Sequence, residues 1–193
     1  PVIAASAGNH AQGVAFAAKN LKLKATIVMP VTTPSIKVDS VRRFGAKVVL
    51  FGDNFDEAFT YAKKLSSESE ATFVHPYDDL DVIAGQGTIG KEIIDALEGK
   101  VDAIFVPVGG GGLLAGLGSY IKSINPKIRI YGVEPEDAAC LDAALKASKR
   151  VSLKEVGLFA DGVAVKQVGE KTFSFIKEWI DGVVTVSVDE MCA

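Results

Sequence analysis

Cysteine, histidine and tryptophan are scarce in this chain of 193 residues, which has two Cys, two His and one Trp. Cys140 and Cys192 stand far apart and form no C-x-x-C pair. That argues against a disulfide framework and fits a reducing compartment. Long apolar runs are missing as well. No stretch approaches the ~20 residues that a membrane span needs, and none reads as a signal peptide. Excess positive charge is also absent: 21 Lys and Arg stand against 24 Asp and Glu, a net charge of −3. A nucleic-acid surface would need the opposite balance. The expected compartment is the cytoplasm, or an organelle if a transit peptide preceded Pro1.

What is present is an ordinary globular composition, 48% hydrophobic and 23% charged, enriched in glycine at 19 residues. The length suits one or two domains with real cores. Short apolar runs rich in Val and Ile alternate with longer runs of helical period. Expected strands are 2–5, 25–29, 47–51, 72–75, 102–108, 129–133 and 183–186. Expected helices are 11–21, 34–44, 55–67, 82–97, 113–124, 137–147 and 169–179. Several strands lack polar alternation, which belongs to parallel strands buried on both faces. In the third helix, Phe55, Ala58, Phe59, Ala62 and Leu65 share one face. The alternation predicts an α/β fold of two open parallel-sheet units. The turn-rich "HPYDDLDV" suggests the boundary, giving a small α/β domain over 1–74 and part of a larger domain over 75–193. Both ends read as cut. Residues 2–5 need neighbours, and "SVDEMCA" starts a capped helix that stops after one turn.

Two strand-to-helix loops carry the chemistry. In "AIFVPVGGGGLLAGLG" a strand ends at Val108, and Gly109, Gly110, Gly111 and Gly112 lead into a helix. Four glycines remove every β-carbon from the turn, so backbone N–H groups can converge on one anion at the helix N-terminus. Each glycine also costs backbone entropy, a poor way to build a mere turn. No Walker A lysine accompanies the loop. Gly110, Gly112 and Ala115 loosely fit a dinucleotide fingerprint, with Glu134 at the acidic position. The second loop is "SAGNH". There Asn9 is expected to cap the following helix. Both loops sit at carboxyl ends of strands, where open parallel sheets bind ligands. If they face one cleft, the pair suits a phosphorylated cofactor and a small anionic substrate.

The segments "ASAGNHAQGVA", "IVMPVTTPSIKVDSVRRFGAKVVLFG", "VIAGQGTIGKEI", "VPVGGGGLLAG", "GVEPEDAA" and "GLFADGVAVKQVGEKTF" together resemble the threonine dehydratase family. That family belongs to the fold type II, tryptophan-synthase-β-like pyridoxal-phosphate enzymes. The likeness runs in order along the chain and outweighs the dinucleotide match. It implies pyridoxal 5'-phosphate as cofactor, with Gly109, Gly110, Gly111, Gly112 and Leu113 binding its phosphate through backbone amides. It implies Asn9 at the pyridoxal 3'-oxygen, Ser6, Asn9 and His10 in a loop closing on the substrate carboxylate, and Gly162 against the ring. The implied reaction removes the α-proton and β-hydroxyl of threonine or serine and yields a 2-oxo acid and ammonia. The resemblance is stronger to the biosynthetic, isoleucine-pathway branch, and it implies a homo-oligomer when intact. Serine dehydratase or racemase is the alternative enzyme, and a phosphate-binding module without catalysis the alternative non-enzyme.

Three departures qualify the likeness. The family's Schiff-base lysine, in a Ser-x-Lys motif, is expected before Pro1. No catalytic residue is then assigned within the chain, and the chain alone is expected to be inactive. Lys37 in "PSIKVDS" mimics that motif but belongs to the "TPxIKV" segment. Racemases carry a serine just before the Gly-Asn-His triplet, where this chain has Ala7, without a proton to move. Racemases also use the segment matching "VEPEDAAC" for a cation. Glu134 matches one ligand there, but Cys140 does not suit a hard cation, so no metal is expected.

Overall fold

The structure, a computed structural model, describes residues 1–157 and 159–193. The chain folds into two compact units, Pro1–Pro76 and Tyr77–Ala193.

In the first unit, β1 (Val2–Ala5), β2 (Ala25–Met29), β3 (Lys47–Leu50) and β4 (Thr72–Phe73) form one parallel sheet in the order β3-β2-β1-β4. The connections are α1 (Asn9–Asn20), α2 (Ser35–Arg42) and α3 (Phe55–Glu68). Successive strand residues point to opposite faces. Ala4, Ile27 and Met29 pack with Ala11, Ala15 and Ala18 of α1 and with Val38 and Val41 of α2. Ile3, Ala5 and Val28 pack the other way, against Ala58 and Ala62 of α3. Burial on both faces explains why β1 and β2 are apolar without alternation. Asn54 caps α3 by accepting from the Glu57 amide at 3.0 Å.

In the second unit, β5 (Ala103–Pro107), β6 (Arg129–Pro135) and β7 (Gly182–Val186) are parallel and adjacent in that order. Around them run α4 (Leu80–Ala96), α5 (Gly112–Ile124), α6 (Cys140–Ala147), α7 (Glu170–Trp179) and α8 (Val188–Cys192). The core joins Val106, Val108 and Ile130 to Leu114 and Ile121 of α5, Leu141 of α6 and Ile176 of α7. Helices α4 and α5 touch backbone to backbone. A β-carbon on Gly116 would run into the Ile83 carbonyl. Such a seam needs the close approach that only glycine allows.

The elements follow the expected rhythm, with two physical shifts. Strand 129–133 extends to Pro135, because Glu134 and Pro135 pair with Thr185 and Val186 of β7. The helix expected at 137–147 starts instead at Cys140, after a 3-10 turn over Glu136–Ala138. The terminal helix α8 carries a full capping box, Ser187 with Glu190. Among the described residues no helix is long and apolar enough to cross a membrane.

Candidate functional site

The glycine loop is built by what holds its carbonyls. β5 ends at Pro107, and the Val108 amide donates to the Val133 carbonyl at 2.9 Å, keeping the chain beside β6. Gly111 then turns the chain into α5 with φ +92°, a left-handed conformation that favours glycine. The Cys140 thiol donates to the Gly109 carbonyl at 3.5 Å. The Gly110 carbonyl accepts from Thr172 Oγ1 at 2.7 Å and from the Gly169 amide at 3.1 Å. The Gly111 carbonyl accepts from the Ala115 amide at 2.8 Å.

The amides are different. Among the described residues, no group accepts from the N–H of Gly109, Gly110, Gly111, Gly112 or Leu113. Gly110, Gly111 and Gly112 are buried. Buried amides rarely stay unpaired, because each costs free energy comparable to a lost hydrogen bond. These sit at the positive end of a 13-residue helix. The donor set therefore fits a phosphate, which supplies several strong acceptors and negative charge.

Three residues missed in the sequence brace this loop. A β-carbon on Gly110 would run into the Tyr77 ring, and one on Gly112 would come within 2.9 Å of Tyr77 Cβ. Asp78 accepts from the first amides of α7, those of Glu170 (3.0 Å), Lys171 (2.8 Å) and Thr172 (3.2 Å). Thr172 then reaches Gly110. Asp78 and α7 are more than 90 residues apart, so no local pattern announces their contact. The only available signal was the "YDD" cluster, which reads as a turn.

Glu134 is not free for a ribose or a cation, as the dinucleotide and racemase matches would require. It is fully buried. Its two carboxylate oxygens accept from the amides of Leu141 and Asp142, each at 2.8 Å. It serves as the cap of α6. Burial pushes its carboxyl above the ordinary range, against the pull of those two amides.

The 6–10 loop lies in the first unit, between β1 and α1. The Ser6 amide donates to the Val28 carbonyl at 3.2 Å, and Ser6 Oγ accepts from the Gly8 amide at 3.1 Å. Asn9 does not cap α1, contrary to the sequence expectation. α1 begins at Asn9 itself, Gly8 is the N-cap, and no side chain caps the helix. The short Ser6 side chain has already folded the turn, which leaves Asn9 exposed on the first helical turn. His10 Nε2 lies 3.1 Å from the Val74 carbonyl, an acceptor, so Nε2 carries the donated proton. Burial lowers the pKa of His10, partly offset by that hydrogen bond. Gly162 lies in a 3-10 turn over Asp161–Val163, and a β-carbon there would meet nothing within 4 Å. Its neighbour Val163 packs on the glycine loop, with Cα 3.1 Å from where a Gly109 β-carbon would stand.

The pyridoxal-phosphate dependent enzyme family matches residues 1–193. The chain belongs to that family. It is 55% identical over 195 residues to the biosynthetic L-threonine dehydratase IlvA of Burkholderia multivorans, covering all of this chain and 38% of that protein. It is 57% identical over 192 residues to the chloroplastic biosynthetic threonine dehydratase 1 of Solanum lycopersicum, covering 32% of that protein. The chain therefore spans 32–38% of the length of these relatives. Its fold matches the processed form of threonine deaminase isoform 2 from Solanum lycopersicum with a TM-score of 0.92. That match has 53% identity and covers 96% of this chain and 51% of the other. Maize serine racemase matches with a TM-score of 0.91 at 33% identity, covering 96% and 56%. The family's cofactor is pyridoxal phosphate, and the glycine loop offers the donors that its phosphate requires.

Proposed function

We propose that the chain carries the phosphate cradle and the substrate-carboxylate loop of a threonine dehydratase. That lyase converts L-threonine, and also L-serine, into a 2-oxo acid and ammonia. The observation that carries the reading is the row of unpartnered amides at residues 109–113, at the positive end of α5. In this reading Gly109, Gly110, Gly111, Gly112 and Leu113 hold the cofactor phosphate. Asn9 bonds the pyridoxal 3'-oxygen, and the open space at Gly162 takes the ring. Pyridoxal phosphate, when bound, supplies the electron sink for α-proton loss.

The chain's own residues bind and orient. Ser6 Oγ already accepts from Gly8, which leaves its hydroxyl proton to donate to a carboxylate. Asn9 adds side-chain N–H donors on the exposed first turn of α1, whose free amides favour an anion. His10 holds the loop through the Val74 carbonyl and stays neutral at pH 7, its pKa lowered by burial. Ala7 has no proton to deliver to a second face, which favours dehydration over racemisation. The lysine that links to the cofactor is assigned to none of the 193 residues. Lys37 is the third residue of α2, within the "TPSIKV" segment. The finer reading is the first step of isoleucine biosynthesis, in a homo-oligomeric enzyme of the cytoplasm or of an organelle.

The test is the full-length protein loaded with pyridoxal phosphate and given L-threonine. 2-Oxobutanoate and ammonia should appear in equal amounts, with L-serine giving pyruvate. Cofactor binding without either keto acid, or release of D-serine from L-serine, would overturn the reading.

A further inference from the structure

We infer that Thr172 is a positioning residue of the phosphate cradle. Its hydroxyl holds the Gly110 carbonyl so that the next amide, that of Gly111, faces the phosphate. The inference rests on the reading of the glycine loop given above and adds the part that aims it.

Thr172 is fully buried and is the third residue of α7. A threonine hydroxyl can bond a backbone carbonyl within a turn of its own position. This one reaches across 62 residues to Gly110 at 2.7 Å. Its helix start is pinned from outside, because Asp78 takes the amides of Glu170, Lys171 and Thr172. The preceding amide, Gly169, stays available and also donates to Gly110 at 3.1 Å. Two donors from the start of α7 thus converge on one carbonyl.

The consequence follows from the peptide bond. A trans peptide is planar, so the C=O of one residue and the N–H of the next point in opposite directions. The chain has no cis peptide bond. Three successive loop carbonyls are held on the protein side: Gly109 by Cys140, Gly110 by Thr172 and Gly169, Gly111 by Ala115. The amides of Gly110, Gly111 and Gly112 must then point the other way. Glycine offers little resistance to rotation of its peptides. A freed Gly110 carbonyl could swing round and present an oxygen where the phosphate needs a donor. Only the Gly110 anchor depends on a side-chain hydroxyl, and that side chain is Thr172.

The experiment compares two probes on the cofactor-free full-length protein, pyridoxal 5'-phosphate and pyridoxal, which lacks the phosphate. Affinities are read by equilibrium dialysis, without any assay of turnover. The unaltered protein should bind the phosphorylated probe much more tightly. Thr172→Val should weaken pyridoxal phosphate by at least about tenfold, the scale of one hydrogen bond to a charged group, and leave pyridoxal within about twofold. Thr172→Ser should restore most of the loss. If the valine variant shows no cooperative melting, Thr172→Ala carries the same prediction. Equal weakening of both probes, or no weakening of either, would reduce Thr172 to a packing residue and overturn the inference. Equal affinity of the unaltered protein for both probes would instead overturn the cradle reading itself.

Discussion

Gly111 combines two constraints that the proposed cradle needs. Its φ of +92° is costly for any residue with a β-carbon, and such a carbon would come within 3.0 Å of Ile176 Cδ1 and Thr172 Oγ1. Gly111→Ala should therefore destabilise the protein by about 1–3 kcal/mol through backbone strain. It should also loosen cofactor binding if the loop is the proposed cradle, because the strain is relieved by turning a peptide whose amide that reading aims at the phosphate. Urea unfolding and cofactor titration check the two effects separately. His10 provides a pH signature. Its folded-state pKa lies below the ordinary 6.5, so the folded state resists the proton that the unfolded chain accepts. Its contribution is complete above pH 6.5 and is lost as pH falls below it. His10→Gln should flatten stability between pH 7.5 and about 5.5, read as a smaller shift of the urea midpoint. The two candidate loops stood out in the sequence because each follows a strand and opens a helix, and four glycines in a row have few physical uses. Their braces did not. Tyr77, Asp78 and Thr172 act through contacts across the chain, and the reach of Ser6 to Gly8 displaced the expected Asn9 cap by making the turn first.

At the scale of elements, α6 shows how a carboxylate can be mistaken for a ligand. Glu134 stands where a ribose- or cation-binding acid would stand, yet its two oxygens satisfy the first amides of α6. Removing them orphans two helix-start donors. Glu134→Ala should cost about 2–4 kcal/mol in urea unfolding, whereas a ligand residue would leave stability nearly unchanged. Helices and strands were largely readable from periodicity, since apolar strands such as β1 and β2 can only be buried on two faces. What periodicity does not contain is pairing. β6 runs on to Pro135 because β7 lies beside it, and β4 shrinks to Thr72–Phe73, the two residues that β1 pairs.

At the scale of the whole molecule, two parallel-sheet units carry one loop each, and each loop follows a strand and opens a helix. The parallel arrangement was implied by unalternating strands, and the structure carries it in both sheets. Family membership rests on a match along all 193 residues. It does not place the cofactor-linking lysine among them. The chain expressed alone and incubated with pyridoxal phosphate should therefore yield no borohydride-trapped adduct on any unique lysine, as mass spectrometry of the digested protein would show. A single trapped lysine, Lys37 above all, would contradict that assignment.

The central claim is that residues 109–113 form a phosphate cradle built from backbone amides. A crystal structure of the full-length protein with pyridoxal phosphate tests it most directly. Phosphate oxygens should lie about 2.7–3.2 Å from the amide nitrogens of Gly110, Gly111 and Gly112, with the Gly110 carbonyl still turned toward Thr172. A phosphate bound elsewhere, or held by side chains while those amides pair with protein carbonyls, would contradict it.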